Sequence, residues 1–335
     1  MHQFFVLSIY KTMKKKKILI TGSAGFIGFH LCKNLMENKN LLLVGIDNIN
    51  NYYDVKLKKE RIKILNNLSG NFKFIKIDLN SKKIAKLFVK EKFDVVIHLA
   101  AQAGVRYSIT NPEAYVKNNL NGFFNILNSS SKYKVKHFIF ASTSSVYGDN
   151  TKFPLKENYN TDRPLTFYAA TKKSNEVMAY SYSHIHKLPS TGLRFFTVYG
   201  PYGRPDMALF KFANSILKNK FLSMYNFGKH KRDFTYIDDV CDAIKKIIFK
   251  PSKEKIPYQI FNVASSSPEN LKKFLKLIEK QLDKKAKIKY LPLQLGDIYQ
   301  TFGDTTKLKK VINFKIKTSL ENGIKKYINW FLKKK

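Results

Sequence analysis

Two cysteines, Cys32 and Cys241, are all that the 335 residues contain. A disulfide framework is therefore excluded, and the pair fits a reducing, cytoplasmic setting. No cluster of metal-ligand type accompanies them, so no metal is expected. Arginine is also scarce, six residues against 55 lysines. With only 24 acidic residues, the formal net charge reaches +37. A charge of that size first suggests a nucleic-acid partner. Arginine, however, is the residue suited to bidentate phosphate and base contacts, and the lysines are spread along the whole chain. Lysine, asparagine and isoleucine are abundant together, as an AT-rich coding sequence would produce. The expectation is a lysine-coated surface with no specific nucleic-acid function. No apolar run approaches the ~18–20 residues of a membrane span, so no membrane partner is expected. Phe4 to Ile9 is apolar but lacks a basic leader and a small-residue cleavage site. Residues 1–14 are read as an N-terminal tail.

What is present is an alternation. Apolar runs suited to strands lie at Lys17–Ile20, Leu41–Ile46, Phe72–Ile77, Phe93–His98, Phe138–Ala141, Thr191–Phe196 and Gln259–Val263. Helical patterns separate most of them. Such alternation predicts an α/β fold with a Rossmann-type, doubly wound parallel sheet. We place it over residues 15–196 plus 256–266. Beyond Gly200, prolines, glycines and aromatics cluster. Residues 197–255 plus 267–335 are read as a smaller mixed α/β lobe over the carboxyl ends of the strands, where open sheets bind ligands. Lys307–Val311 and Leu320–Phe331 read as terminal helices.

Between the first strand and the first helix stands Gly22-x-x-Gly25-x-x-Gly28. The first glycine allows a tight turn, the second lets backbone approach a pyrophosphate, and the third permits close helix–strand packing. Asp47 ends the second strand, where a carboxylate accepts hydrogen bonds from an adenine ribose diol and repels a 2′-phosphate. The expected cofactor is NAD rather than NADP. Asp78-Leu79 ends the third strand, and His98-Leu99-Ala100-Ala101-Gln102 ends the fourth, with small residues that leave room for a dinucleotide. His98 is read as structural.

Tyr168 and Lys172 stand four apart and share one helix face. A phenol acting as a base near neutral pH needs roughly three pKa units of help, which a neighbouring ammonium and a nicotinamide cation could supply. Spacing alone does not select the pair. Roughly three such pairs are expected by chance, and Tyr10/Lys14, Tyr52/Lys56 and Tyr225/Lys229 share the spacing. Its position after the glycine turn and Thr143 selects it.

Taken in order, the motifs resemble those of the extended short-chain dehydrogenase/reductases, within the NAD-dependent epimerase/dehydratase group. They are the glycine triplet, Asp78-Leu79, His98-Leu99-Ala100-Ala101, Ala141-Ser142-Thr143-Ser144-Ser145-Val146-Tyr147-Gly148, Tyr168-x-x-x-Lys172 and Arg232-Asp233-Phe234-Thr235-Tyr236. Asp47-Asn48-Ile49-Asn50-Asn51-Tyr52-Tyr53, Ala103-Gly104-Val105-Arg106 and Gly203-Arg204-Pro205-Asp206-Met207 are similar to signatures of UDP-glucuronate 4-epimerases. Asn51 departs from an aspartate usual there, which leaves the ribose contact of Asp47 untouched.

The resemblance implies an isomerase that inverts C4 of a UDP-hexuronic acid through a 4-keto intermediate, for surface polysaccharide. Tyr168 would be the base, Lys172 would hold the nicotinamide ribose and depress the phenol, and Thr143 would relay the proton. It implies cofactor contacts at Phe26, Ile27, Asn48, Asn119 and Phe195 besides those named above. It also implies substrate contacts at Arg106, Thr143, Ser144, Ser145, Thr197, Arg204, Tyr225, Arg232 and Asp297. Related dehydratases and decarboxylases carry carboxylates where Ser144 and Ser145 stand, so simple epimerisation is favoured. A UDP-glucose or UDP-N-acetylhexosamine 4-epimerase is the alternative, and a UDP-glucuronate decarboxylase a lesser one. A homodimer through Glu113–Ser131 and Phe167–His186 is implied. Asp238-Asp239 is read as a cap on the following helix rather than a metal site.

Overall fold

The computed structural model describes residues 15–68 and 70–334. The tail read over residues 1–14 lies outside them. The described strands are β1 (Lys16–Thr21), β2 (Leu41–Asp47), β3 (Phe72–Lys76), β4 (Val95–His98), β5 (His137–Thr143) and β6 (Ser190–Phe195), followed by β7 (Thr197–Tyr199), β8 (Phe221–Met224), β9 (Lys231–Tyr236), β10 (Tyr258–Val263), β11 (Pro268–Asn270) and β12 (Lys287–Tyr290). The described α-helices are α1 (Phe26–Leu35), α2 (Val55–Leu68), α3 (Lys83–Glu91), α4 (Tyr107–Thr110), α5 (Pro112–Tyr115) and α6 (Gly122–Lys132), then α7 (Phe167–His186), α8 (Ala208–Leu217), α9 (Ile237–Ile247), α10 (Leu271–Leu282), α11 (Thr306–Ile312) and α12 (Leu320–Lys333).

Seven strands form one sheet in the order β10-β6-β5-β4-β1-β2-β3, and every pair in it is parallel. Its central strands are buried on both faces, which is why they read as continuous apolar runs rather than alternating ones. Helices α1 and α9 pack on one face, and α3, α6 and α7 on the other. Strand order reverses between β1 and β4, and a parallel sheet opens a crevice at that point. Ser142 pairs with Arg194 and Thr143 with Phe195 across β5 and β6. That register puts the ends of both strands at the same edge of the crevice.

The remaining strands form a three-stranded sheet, β11-β9-β7, and a two-stranded one, β12-β8. Asp233 on β9 holds this region together. Its carboxylate accepts from the backbone N–H of Ser265 at 2.7 Å, Ser266 at 3.1 Å and Gly303 at 3.1 Å. Asp239 differs from the cap expected of it. Helix α9 begins at Ile237, so the acidic pair lies in its first turn and makes no capping hydrogen bond to it. Instead the Asp239 carboxylate accepts from the N–H groups of Lys317 and Thr318 at 3.1 and 3.2 Å. Near the helix N-terminus the charge still suits the macrodipole, but its bonding partner is a distant loop.

Two of the buried histidines among the described residues lie on central strands in neutral form. His98 on β4 is 1% exposed and His137 on β5 is 1% exposed. Burial lowers them to about 3 and about 4 respectively, from an ordinary 6.5. Between those values the unfolded chain binds more protons than the folded one. Their contribution is therefore complete above the unfolded pKa and declines as pH falls toward the folded values. Going from about pH 7 to about pH 5 is expected to cost on the order of 2 kcal/mol for each histidine. Urea midpoints at the two pH values test this, and equal midpoints would rule out neutral burial as a stability term.

Candidate active site

The glycine turn is shaped by contacts rather than by flexibility. Gly22 has φ +73°, and a Cβ there would stand 2.8 Å from the Ala100 nitrogen. A Cβ on Gly28 would run into the Gly22 carbonyl, so α1 could not pack as it does. A Cβ on Gly25 would stand 2.9 Å from that same carbonyl oxygen, too close to keep the turn, with open space on its other sides. No side chain caps α1, whose first-turn N–H groups are thus left for an anion. The turn opens onto a cleft of about 260 Å³ that reaches from Gly25 past Asp47 to Lys172. Shape, helix terminus and terminal carboxylate fit a dinucleotide.

Asp47 is anchored in place. Its carboxylate accepts from Ala24 N at 3.2 Å and from Ile49 N at 2.7 Å. Burial pushes its carboxyl up, while those bonds and the charges of Lys58 and Arg61 pull it down. Arg61, which no motif singled out, is wholly buried. It donates to the carbonyls of Ala24 at 2.7 Å and Tyr202 at 2.6 Å and to the Tyr53 hydroxyl at 2.7 Å. It therefore fastens the glycine turn to two distant loops. His98 is occupied by the turn as well, since Thr21 Oγ1 accepts from Ala100 N at 3.1 Å and meets His98 Nδ1 at 2.9 Å.

Of the other cofactor candidates, Phe26, Ile27, Asn48, Leu79, Leu99, Ala100, Ala101, Gln102 and Phe195 line the cleft. Asp78 and Asn119 do not. Asp78 accepts from the Asn48 amide at 2.9 Å and so braces Asn48. Asn119 lies in a π-helical turn, Val116–Asn121. Its side chain accepts from Gln102 N at 2.8 Å and donates to the Gln102 carbonyl at 3.0 Å. Asn118, one residue earlier, lines the cleft instead. The wider π-turn shifts helical phase, a change that spacing cannot reveal.

A second cavity of about 240 Å³ adjoins the first and is lined by Ser144, Ser145, Thr197, Arg232 and Asp297. Thr143, Tyr168, Phe195, Phe196, Arg204 and Met207 line both. The polar groups at the junction are thus a threonine, a tyrosine and an arginine. Tyr168 is in the first turn of α7, which Thr166 caps by accepting from Ala169 N at 3.2 Å. Burial raises the phenol, and a hydrogen bond with Thr143 and the charge of Arg204 pull it back. Lys172 is one turn on, but its Nζ donates to the Ala141 carbonyl at 2.8 Å. Burial lowers its ammonium to about 8, and Glu176 opposes this. Arg204, which lines both cavities, adds a charge that favours the phenolate, and the sequence did not point to it for that role. The lysine lines the cleft with one of its three donors on the Ala141 carbonyl.

Arg204 is itself held. Its Nε donates to Asp206 Oδ1 at 3.0 Å and a second nitrogen reaches Oδ2, which also accepts from the Tyr52 hydroxyl at 3.3 Å. Deeper in the second cavity, Arg232 donates to Asp297 at 2.9 Å. Arg106 approaches the same carboxylate at 3.7 Å and lies over the Tyr225 ring at 4.7 Å. Neither Arg106 nor Tyr225 lines the second cavity, and Tyr225 borders another depression beside Ser223. Asp297 is the one carboxylate among the residues that line the second cavity. No acidic group flanks Thr143 there, since Ser144 and Ser145 occupy those places.

The family model described as "NAD dependent epimerase/dehydratase family" matches residues 18–264. An uncharacterized protein of Methanocaldococcus jannaschii is 50% identical, with 96% of this chain and 98% of that protein covered. A probable UDP-glucuronate 4-epimerase of Rhizobium meliloti is 42% identical, with 94% and 96% covered. The crystal structure of a UDP-glucuronic acid 4-epimerase from Bacillus cereus, in complex with UDP-glucuronic acid and NAD, is similar with a TM-score of 0.89. It is 33% identical, with 95% of this chain and 100% of that chain covered.

Proposed function

The chain belongs to the NAD dependent epimerase/dehydratase family, and from that premise we propose that it interconverts UDP-glucuronate and UDP-galacturonate by inversion at C4. The observation that carries this reading is the junction of two cavities at Thr143, Tyr168 and Arg204. A cofactor in one cavity and a sugar in the other would meet at the phenol. Tyr168 takes the proton of the sugar 4-hydroxyl and later returns it, with Thr143 bridging phenol and O4. The glycine turn, Asp47 and Lys172 would hold NAD in the cleft, where it would supply the acceptor for the C4 hydride and the hydride's return to the opposite face of the sugar. Proton and hydride both return, so the reaction is redox-neutral and needs no further reagent. Lys172 is suited to hold the nicotinamide ribose, and Asp47 the adenine ribose.

Arg204 is suited to the uronate carboxylate, with Ser144, Ser145 and Thr197 as neutral donors beside it. Arg232 and Asp297 suit the diphosphate and the uridine ribose. We divide the chain into an NAD-binding domain, 15–196 plus 256–266, and a UDP-sugar lobe, 197–255 plus 267–335. A homodimer is supported by exposed apolar side chains on and beside the helices named for it, among them Phe124, Val177, Tyr180 and Ile185. Both cysteines are buried free thiols, in keeping with the cytoplasm. Among the described residues no helix is long and apolar enough to cross a membrane.

Incubation of the purified protein with UDP-glucuronate, UDP-glucose and UDP-N-acetylglucosamine tests the reading. UDP-galacturonate is expected. Conversion of a neutral sugar alone would overturn the substrate assignment, and release of CO₂ would indicate decarboxylation. The role of Asp47 is tested separately. Asp47→Asn is expected to weaken NAD about tenfold or more, the loss of a charged hydrogen bond, and to narrow the preference over NADP. Fluorescence titration with both dinucleotides measures this, and unchanged affinities would remove Asp47 from the ribose.

A further inference from the structure

Behind the Tyr168–Lys172 turn lies a buried ionic network that the reaction as described does not use. Glu176 stands one turn beyond Lys172 on α7 and is 4% exposed. Its carboxylate accepts from Arg194 Nε at 2.9 Å, from Arg194 Nη2 at 2.8 Å and from the Ser142 hydroxyl at 2.6 Å. Ser142 and Arg194 are register partners on β5 and β6, and each immediately precedes a residue of the site, Thr143 and Phe195. One carboxylate thus joins the helix that carries Lys172 to both strand ends that complete the site. Arg194 in turn lies over the Tyr147 ring at 4.8 Å and donates to the Glu157 carbonyl at 3.1 Å.

A buried ion pair contributes little net stability beside a well-packed apolar pair of the same volume, although removing one partner alone is costly. Stability is therefore a weak reason to keep three polar side chains here, and the surroundings of Lys172 offer a stronger one. From its own helix Lys172 is faced by Glu176. Neutral His98 faces it from β4 and the Ala141 carbonyl from β5, with Arg194 of β6 beyond Glu176. Glu176 is the carboxylate whose charge opposes desolvation of the Lys172 ammonium.

We propose that Glu176 is a positioning residue for the epimerisation, which fixes the Lys172 turn against β5 and β6 and so aligns that lysine within the cofactor cleft. The proposal rests on the reading of Tyr168 and Lys172 as the acid–base and cofactor-holding pair. Without the carboxylate, the Arg194 guanidinium would remain nearby uncompensated. Both changes favour a neutral lysine, so Lys172 would lose its proton at a lower pH.

The test compares wild type with Glu176→Gln, Glu176→Asp and the double variant Glu176→Met/Arg194→Met. It measures kcat and KM for UDP-glucuronate, and NAD affinity by calorimetry, from about pH 6 to about pH 10, along with thermal unfolding. In Glu176→Gln, kcat is expected to fall about tenfold with KM within about twofold, and the alkaline limb to move about one unit toward acid. Glu176→Asp is expected to recover the limb in part. The double variant is expected to regain stability but to keep the displaced limb. A wild-type limb in folded Glu176→Gln, or in the double variant, would reduce the network to a structural one and overturn the proposal. Should Glu176→Gln fail to fold, the other two variants decide. If wild type epimerises no UDP-sugar, the functional reading fails by itself. The pH at which NAD binding weakens then decides, with a displaced value supporting the role of Glu176 and an unchanged one overturning it.

Discussion

Tyr168→Phe is expected to lower turnover of UDP-glucuronate by about a thousandfold or more, equivalent to ~4 kcal/mol of barrier. The substitution removes one oxygen and little else. The ring keeps its edge-to-face packing on Tyr115, with centroids 6.0 Å apart. Asp47, the glycine turn and the Lys172–Ala141 bond are untouched, so NAD affinity should stay within about twofold. In the proposed pose Thr143 would still face the C4 hydroxyl, but an aliphatic hydroxyl is a far weaker base than a phenolate. The measurement is single-turnover formation of UDP-galacturonate, with NAD content and thermal unfolding as controls. Turnover near the wild-type level would take the proton-transfer role away from Tyr168. A parallel fall in NAD content would mean that the variant had damaged the cleft rather than the chemistry.

The second large effect belongs to Arg204. Arg204→Gln is expected to reduce kcat/KM for UDP-glucuronate by about a hundredfold or more, since a charge-assisted pair in a largely buried place is lost. The guanidinium has two proposed tasks, and the choice of substrate separates them. Its charge lowers the Tyr168 phenol, and that help is lost for every sugar. Only a uronate also loses an ion pair, so the penalty for UDP-glucose should be smaller by about tenfold. The variant also strands Asp206. Although burial alone would raise it, Arg204 holds that carboxyl below its usual range. With Tyr52 as its remaining side-chain partner, Asp206 should take up a proton at higher pH. Asp206→Asn keeps the guanidinium and should cost less than about tenfold. Equal losses for both sugars in Arg204→Gln would remove the carboxylate contact and leave only the effect on the phenol.

Much of this site is legible in the sequence. The three glycines, Asp47, Thr143, Tyr168 and Lys172 stand out in short segments, and all line the same cleft. Each depends on backbone events within a few residues: a strand end, a tight turn or a helix start. Such events limit which residue types can stand where, so they leave a recognisable spacing. Asn119 shows where that logic stops. The sequence points to it as a cofactor contact, but the π-turn rotates it onto Gln102 and brings Asn118 to the cleft. A shift of one residue in helical phase leaves no trace in composition or periodicity.

The sequence by itself determined the parallel sheet, the dinucleotide turn, the carboxylate at the end of β2 and the tyrosine with its lysine one turn on. The sheet and the turn follow from local sterics and apolar periodicity, while the carboxylate and the tyrosine–lysine pair stand out by their place among the ordered motifs. Only the tertiary structure brought Arg204, from a loop beyond β7, to the junction of the two cavities beside Tyr168. It also decided that Arg61 pins the glycine turn and that Glu176 joins β5, β6 and α7. The reason is common to all three. A long charged side chain acts where its tip arrives, and the groups it meets there come from segments far away in the chain. Burial then sets the strength of each contact, because a charge removed from water interacts strongly with whatever partner remains.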